Sequence, residues 1–144
     1  EAARALGLIG DPVAISALGA ARSHHDPMVR QQVVTALGRL GKVSPKAIPV
    51  LIDALKDQHS AVQPQTIQAL KSLGSRAQKA IPKIIQALDS SFSAKLEAIE
   101  ALRQFKAVTA IPALMRLLTH REDYLVKRVA RAIAEIRQHQ RRAH

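Results

Sequence analysis

Residues 44–74 open with Ser44-Pro45 and run through Ala47-Ile48-Pro49 and Leu51-Ile52-Asp53-Ala54-Leu55. They turn at Asp57-Gln58-His59-Ser60 and close on Ile67-Gln68-Ala69-Leu70-Lys71-Ser72-Leu73-Gly74. Apolar residues recur at helical spacing on both sides of the polar turn, which predicts two short amphipathic helices joined as a hairpin. Copies of this unit flank it. Ala47-Ile48-Pro49 returns as Ala80-Ile81-Pro82 and Ala110-Ile111-Pro112, with Ala14-Ile15-Ser16 as a variant. The closing Ala69-Leu70 returns as Ala5-Leu6, Ala36-Leu37, Ala101-Leu102 and Ala132-Ile133, at spacings of 31, 33, 32 and 31 residues. A period of that size means an all-α chain of stacked helix hairpins, an α-solenoid, because one hairpin cannot bury its apolar face alone.

Composition agrees. Only Phe92, Phe105 and Tyr124 are aromatic, so the core must be aliphatic, and Ala and Leu suit thin, closely stacked helices. No apolar run approaches the roughly 18–20 residues of a membrane span, and no signal-peptide pattern opens the chain. With no cysteine there are no disulfides or thiolate metal ligands. A cytoplasmic setting is the default expectation.

In order, the reading divides the chain into a half repeat over 1–10, full repeats over 11–41, 42–74, 75–106 and 107–138, and a frayed or disordered tail over 139–144. Ala5-Leu6-Gly7 aligns with Ala36-Leu37-Gly38, so Glu1–Gly10 reads as a second helix without its first. The expectation is a piece of a longer protein, with Ala2, Leu6 and Ile9 covered by self-association or by a fused domain. Asp11-Pro12, Asp26-Pro27 and Ser44-Pro45 read as capped helix starts. Val13, Ile15 and Leu18 form one apolar side, and Val29, Val33, Ala36, Leu37 and Leu40 another. Gly41 and Gly74 read as C′ residues. The second repeat begins at the capped start Ser44-Pro45, the first helix of the third runs Ala80–Leu88, and the fourth repeat runs from Thr109 to about Gln138; the last two second helices run Ala94–Phe105 and Tyr124–Gln138. Pro49, Pro82 and Pro112 fall inside first helices, where each is expected to remove a hydrogen bond and bend the axis.

The Ala-Ile-Pro first helix, the Asp26-Pro27-Met28-Val29-Arg30 turn and the closing Ala36-Leu37-Gly38-Arg39-Leu40-Gly41 resemble the HEAT family. The likeness is nearest to the short HEAT-like repeats also found in phycobilisome-lyase proteins, and it covers Glu1 to about Gln138. Departures are Ser16 for proline, Gln63 for arginine, and Phe105-Lys106 where a glycine would end the third repeat. The resemblance implies a right-handed superhelix of about four and a half repeats, first helices convex and second helices lining the concave side. It implies a protein-binding scaffold without cofactor or catalysis, and, from the subfamily, a bilin-lyase-like subunit as a further alternative.

On such an array equivalent second-helix residues form columns. Arg4, Thr35, Gln68, Glu100 and Arg131 make one; Gly38, Lys71, Arg103 and Ala134 its neighbour; Arg39, Ser72, Gln104 and Glu135 a third. Their mixed, polar character suits a protein partner, with Thr35, Arg39, Gln68, Lys71, Glu100, Arg103, Arg131 and Glu135 as its footprint. A fourth column, Arg30, Gln63, Lys95 and Lys127, is either a ladder for an anion or a set of helix-start partners for turn carboxylates, as in the i,i+4 pairs Asp26–Arg30 and Asp123–Lys127.

The net charge of +11 points outward, to nucleic acid, another polyanion or an acidic protein. From Arg116 to Arg142 eight basic residues face Glu122, Asp123 and Glu135, which makes Lys127, Arg128, Arg131 and Arg137 candidate anion ligands. The bland alternative is a solvated face that keeps an Ala-rich array soluble. His24, His25, His59 and His120 all sit at turns, too far apart for the three or four ligands a metal needs. Glu97 and Glu100 could be imagined as an acid–base pair, but Lys95 and Arg103 flank them and a solvated face accounts for them. No phosphate loop or nucleophile motif is present.

Overall fold

Asp26 shows how a hairpin is wired. Its backbone is extended (φ −86°, ψ 118°), its carboxylate accepts from the Met28 N–H at 2.9 Å, and Pro27 takes the first helical position, so the second helix of the hairpin starts there. The structure, a computed structural model, describes residues 12–143; the expected half repeat over 1–10, the Asp11 cap and the Arg4 end of the first column lie outside the described residues. Eight α-helices follow in order among the described residues: α1 Pro12–Ala21, α2 Pro27–Gly41, α3 Ala47–Asp53, α4 Gln63–Ser72, α5 Ile81–Gln86, α6 Phe92–Gln104, α7 Ile111–Arg116 and α8 Asp123–Arg142. They pair as four hairpins, and each second helix stacks on the next: α2 on α4, α4 on α6, α6 on α8.

One aliphatic cluster runs through all four hairpins. Leu18, Leu37, Leu51, Leu70, Ile84, Ile99, Leu102, Leu114 and Leu125 are fully buried, each contributing roughly 1.5–3 kcal/mol of transfer free energy. Phe105 is the aromatic member of the core; Phe92 and Tyr124 stand exposed. On α1 the inward side is Ala14, Ile15 and Leu18, whereas Val13, expected there, is 73% exposed.

Several expectations are corrected. Pro82 and Pro112 stand in the first turns of α5 and α7, and Pro49 in that of α3, where the missing N–H has no intrahelical partner to lose. They open these helices and do not bend them. The turns of residues 74–80 and 108–110 that precede α5 and α7 are 3₁₀, so the α-helix begins later than the apolar pattern suggested. Ser44 caps nothing with its side chain; its carbonyl receives the Ala47 N–H at 3.1 Å instead. Helix α8 does not fray at His139 but continues to Arg142, since Gln and Arg are good helix formers and basic residues suit a helix C-terminus.

Gly41 and Gly74 occupy aligned positions for different reasons. Gly74 has φ +61° and is a left-handed C′ residue. Gly41 is still helical; a Cβ there would lie 2.9 Å from Leu73 Cδ1, so it is the close approach of the next repeat that crowds the position, and a side chain would have to push the Leu73 methyls aside. In the third repeat Lys106 takes the left-handed place, with φ 56°. Its N–H bonds Arg103 O at 3.1 Å and the Ala107 N–H bonds Leu102 O at 3.1 Å, which is a Schellman end closed on a residue with a Cβ. Lys106→Gly is therefore expected to raise stability by about 0.5–1 kcal/mol, a shift of about 3 °C in Tm. A thermal melt with unchanged or lower Tm would contradict a left-handed Lys106.

Candidate interaction surface

The second-helix face is stitched from repeat to repeat by polar side chains. Between α2 and α4, Gln31 donates to Ala61 O (2.8 Å) and to Gln65 Oε1 (3.0 Å), and Gln65 donates to Thr35 Oγ1. Between α4 and α6, Gln68 donates to Glu97 Oε1 at 2.8 Å, Lys71 pairs with Glu97 at 3.6 Å, and Gln104 donates to Lys71 O at 3.1 Å. Between α6 and α8, Arg103 pairs with Glu135 at 2.9 Å and Arg128 with Glu100 at 2.6 Å. Arg103 also holds Glu100 on its own helix, and Arg131 holds Glu135 at 3.2 Å.

The predicted footprint thus lies on one continuous face: Arg103 and Glu135 bind each other across helices, Glu100–Arg103 and Arg131–Glu135 pair within one helix, and Thr35, Gln68 and Lys71 are tied to neighbours outside the footprint. Burial alone would raise the Glu100 pKa, but hydrogen bonds from Arg103 and Arg128 outweigh it and hold the carboxyl below the ordinary range. Arg103, and less so Arg131, lowers Glu135 in the same way. Thr35, Arg39 and Gln68 border a shallow groove of 240 Å³ between α2 and α4. Gly38, in the second column, is buried, with Ala69 packed over it, and offers no side chain to a partner.

Of the four cations proposed on the last helix, Arg128 is tied to Glu100 and Tyr124, its guanidinium 5.0 Å from the Tyr124 ring centroid. Arg131 is bonded to Glu135, Arg137 reaches Met115 Sδ at 3.6 Å, and Lys127 is exposed. The expected helix-start pair at Asp26 is replaced by a longer link. Arg30 binds Asp57, the turn carboxylate of the next repeat, and donates to His24 O (2.8 Å) and His25 O (3.2 Å) of its own turn. Gln63, in the same column, is 4% exposed and only donates to Leu55 O at 3.3 Å. The column is not a uniform ladder.

Three turn histidines share a task that sequence inspection missed. The Nδ1 atoms of His24, His59 and His120 accept from the N–H two residues on, of Asp26, Ala61 and Glu122, at 3.0–3.1 Å. They act as Asx-like turn formers. Among the described residues no group of three His, Asp or Glu could hold a metal, and no helix is long and apolar enough to cross a membrane.

First helices are tied by Asp53, which joins three repeats: it pairs with Lys56 at 2.9 Å, with Arg22 from the first hairpin and with Lys83 of α5 at 3.8 Å. Lys56 first, and then Arg22, lower its pKa to about 2. A depressed folded-state pKa gives stability present above pH about 4 and lost as pH falls through about 2. With the side chain a third exposed, solvent screening limits this to about 1 kcal/mol. Asp53→Asn is expected to lose that amount at pH 7 and only a small part of it near pH 2, flattening the acid limb of the stability curve. An equal loss at both pH values would refute the charge-based link.

The sequence matches the family model for HEAT repeats over residues 1–71 and 81–143. The chain belongs to the HEAT repeat family. No curated protein matches the sequence. Among solved structures this HEAT chain is similar to the complex of CpcE and CpcF of phycocyanin lyase from Nostoc sp. PCC7120, with 26% identity and a TM-score of 0.70 over 94% of its length and 58% of that chain. Two engineered proteins share the fold at 24% identity. Their TM-scores are 0.59 and 0.62, each covers 93% of this chain, and 71% and 43% of the respective engineered chains are covered.

Proposed function

We propose that this HEAT segment is a non-catalytic interaction module that binds a protein partner through its second-helix surface. The observation that carries the reading is the cross-helix stitching: Glu100, Arg103, Glu135 and Gln68 are already held in place, so a partner meets ordered polar groups and little side-chain entropy is lost on contact. Arg39, Gln68 and Arg131 remain exposed at its surface and supply the points of contact. The test places a photo-crosslinking residue at Arg39, at Arg131 and, as the opposite-face control, at Pro82. The partner is expected from the first two positions, and Arg39→Glu with Arg131→Glu should weaken its binding at least tenfold, about 1.4 kcal/mol. Crosslinks from Pro82 alone would end the reading.

A second reading, polyanion binding through α8, is favoured by the exposed Lys127, Arg141 and Arg142 and opposed by the carboxylates that hold Arg128 and Arg131. It requires binding that collapses as salt rises. A third, a bilin-lyase-like subunit, is favoured by the likeness to the phycocyanin lyase complex and requires bilin transfer to an acceptor protein.

A further inference from the structure

The carboxylates of this chain are not spread evenly over its edges. Asp26, Asp57, Asp89, Glu122 and Asp123 lie in or beside the turns inside the hairpins, whereas residues 27–52, 58–88 and 101–121 contain no Asp or Glu. Those three stretches cross from one hairpin to the next. Among the described residues the inter-repeat edge therefore carries one sign of charge: Lys42 and Lys46 after α2, Arg76 and Lys79 after α4, and Lys106 after α6, all exposed. None of the five makes an ion pair among the described residues. Arg76 donates to Lys42 O at 2.7 Å, which makes neighbours of the first two loops while leaving the guanidinium charge uncancelled.

Helix dipoles do not account for this arrangement. A cation is favoured within the last turn of a helix, but Lys46 and Lys79 lie several residues beyond the ends of α2 and α4, just before the Ala-Ile-Pro starts of the next first helices. Packed helices lie roughly 8–10 Å apart, about one Debye length at physiological salt, so cations on successive loops act on the same ligand. Two apolar side chains stand among them. Val43 is 74% exposed and Val108 38% exposed, at aligned places on either side of Arg76. The described aromatics are elsewhere: Phe92 and Tyr124 begin second helices at the opposite edge, and Phe105 is buried. Cations interleaved with aliphatic residues, and no ring for a base to stack on, favour a polypeptide over a nucleic acid.

We infer that the inter-repeat edge, Lys42, Lys46, Arg76, Lys79 and Lys106 with Val43 and Val108, docks an acidic, partly apolar extended segment of a partner protein. This rests on the protein-binding reading and takes the edge beside the second-helix face, the two meeting where Lys42 borders the groove of Arg39 and Gln68. The test measures anisotropy of three labelled probes at low and high salt: a peptide alternating Glu with Val, a polyglutamate peptide of equal length, and a DNA duplex of equal charge. The alternating peptide is expected to bind tightest. Lys42→Glu/Lys79→Glu/Lys106→Glu should weaken it at least tenfold, Val43→Ser/Val108→Ser severalfold, and Arg131→Glu, away from the edge on α8, less than twofold, the circular dichroism melt of each variant staying intact. If the triple variant melts early, the same three positions as Gln supply the comparison. No peptide binding at low salt, or a duplex that outcompetes both peptides, overturns the inference. Loss confined to the Arg131 variant overturns it too, but leaves the second-helix reading standing.

Discussion

Arg30→Ala is expected to lower the unfolding free energy by about 2–3 kcal/mol, among the largest effects of any polar substitution here. The guanidinium and the Asp57 carboxylate are each only 17% exposed, so truncation leaves a largely desolvated carboxylate without its cation. It also frees the carbonyls of His24 and His25, which share the other arm of the guanidinium. Arg30→Lys should recover less than half the loss, because an ammonium cannot serve an acid in the next repeat and two carbonyls in its own turn at once. Urea denaturation at neutral pH measures both variants, and a double-mutant cycle with Asp57→Asn isolates the inter-repeat part. A loss under about 0.5 kcal/mol would reduce the link to an ordinary surface ion pair.

That clamp shows where legibility ended. The repeat period and the buried Ala-Leu pairs were readable because burial imposes helical spacing on the residues themselves: Leu37, Leu70 and Leu102 are fully buried as their alignment requires. Local rules found the Asp26 cap and the Gly74 stop for the same reason. Helix spacing offers Arg30 the i,i+4 carboxylate of Asp26, yet its partner lies 27 residues on, and spacing within one helix carries no information about the turn stacked beside it. Gly41 misled likewise, since its crowding comes from Leu73 of the next repeat. For the site, alignment placed Glu100, Arg103 and Glu135 on one face. The i,i+3 spacing states the Glu100–Arg103 pair, but that Arg103 would also reach Glu135 depended on the offset between helices, which no residue pattern states. The histidine turns required knowing which ring nitrogen faces the backbone.

Leu70→Ala should cost about 3–4 kcal/mol, and its position makes it more than a cavity. Leu70 is fully buried on α4, the helix that packs against both α2 and α6. Removing it leaves a void that rigid neighbours cannot fill, the usual source of losses of this size. In a stack whose repeats touch only their neighbours, a central lesion weakens the coupling that makes the array unfold together. Leu18→Ala removes an equally buried side chain from α1, whose principal partner is α2. It should loosen the first hairpin and leave the others protected. Hydrogen exchange and urea denaturation separate the two cases: Leu70→Ala is expected to lower the m-value and expose α2 and α6 together, while Leu18→Ala raises exchange in α1 and α2 alone. If both variants keep the parent m-value and lose protection uniformly, the molecule unfolds as one globular unit, and the nearest-neighbour account of its stability fails.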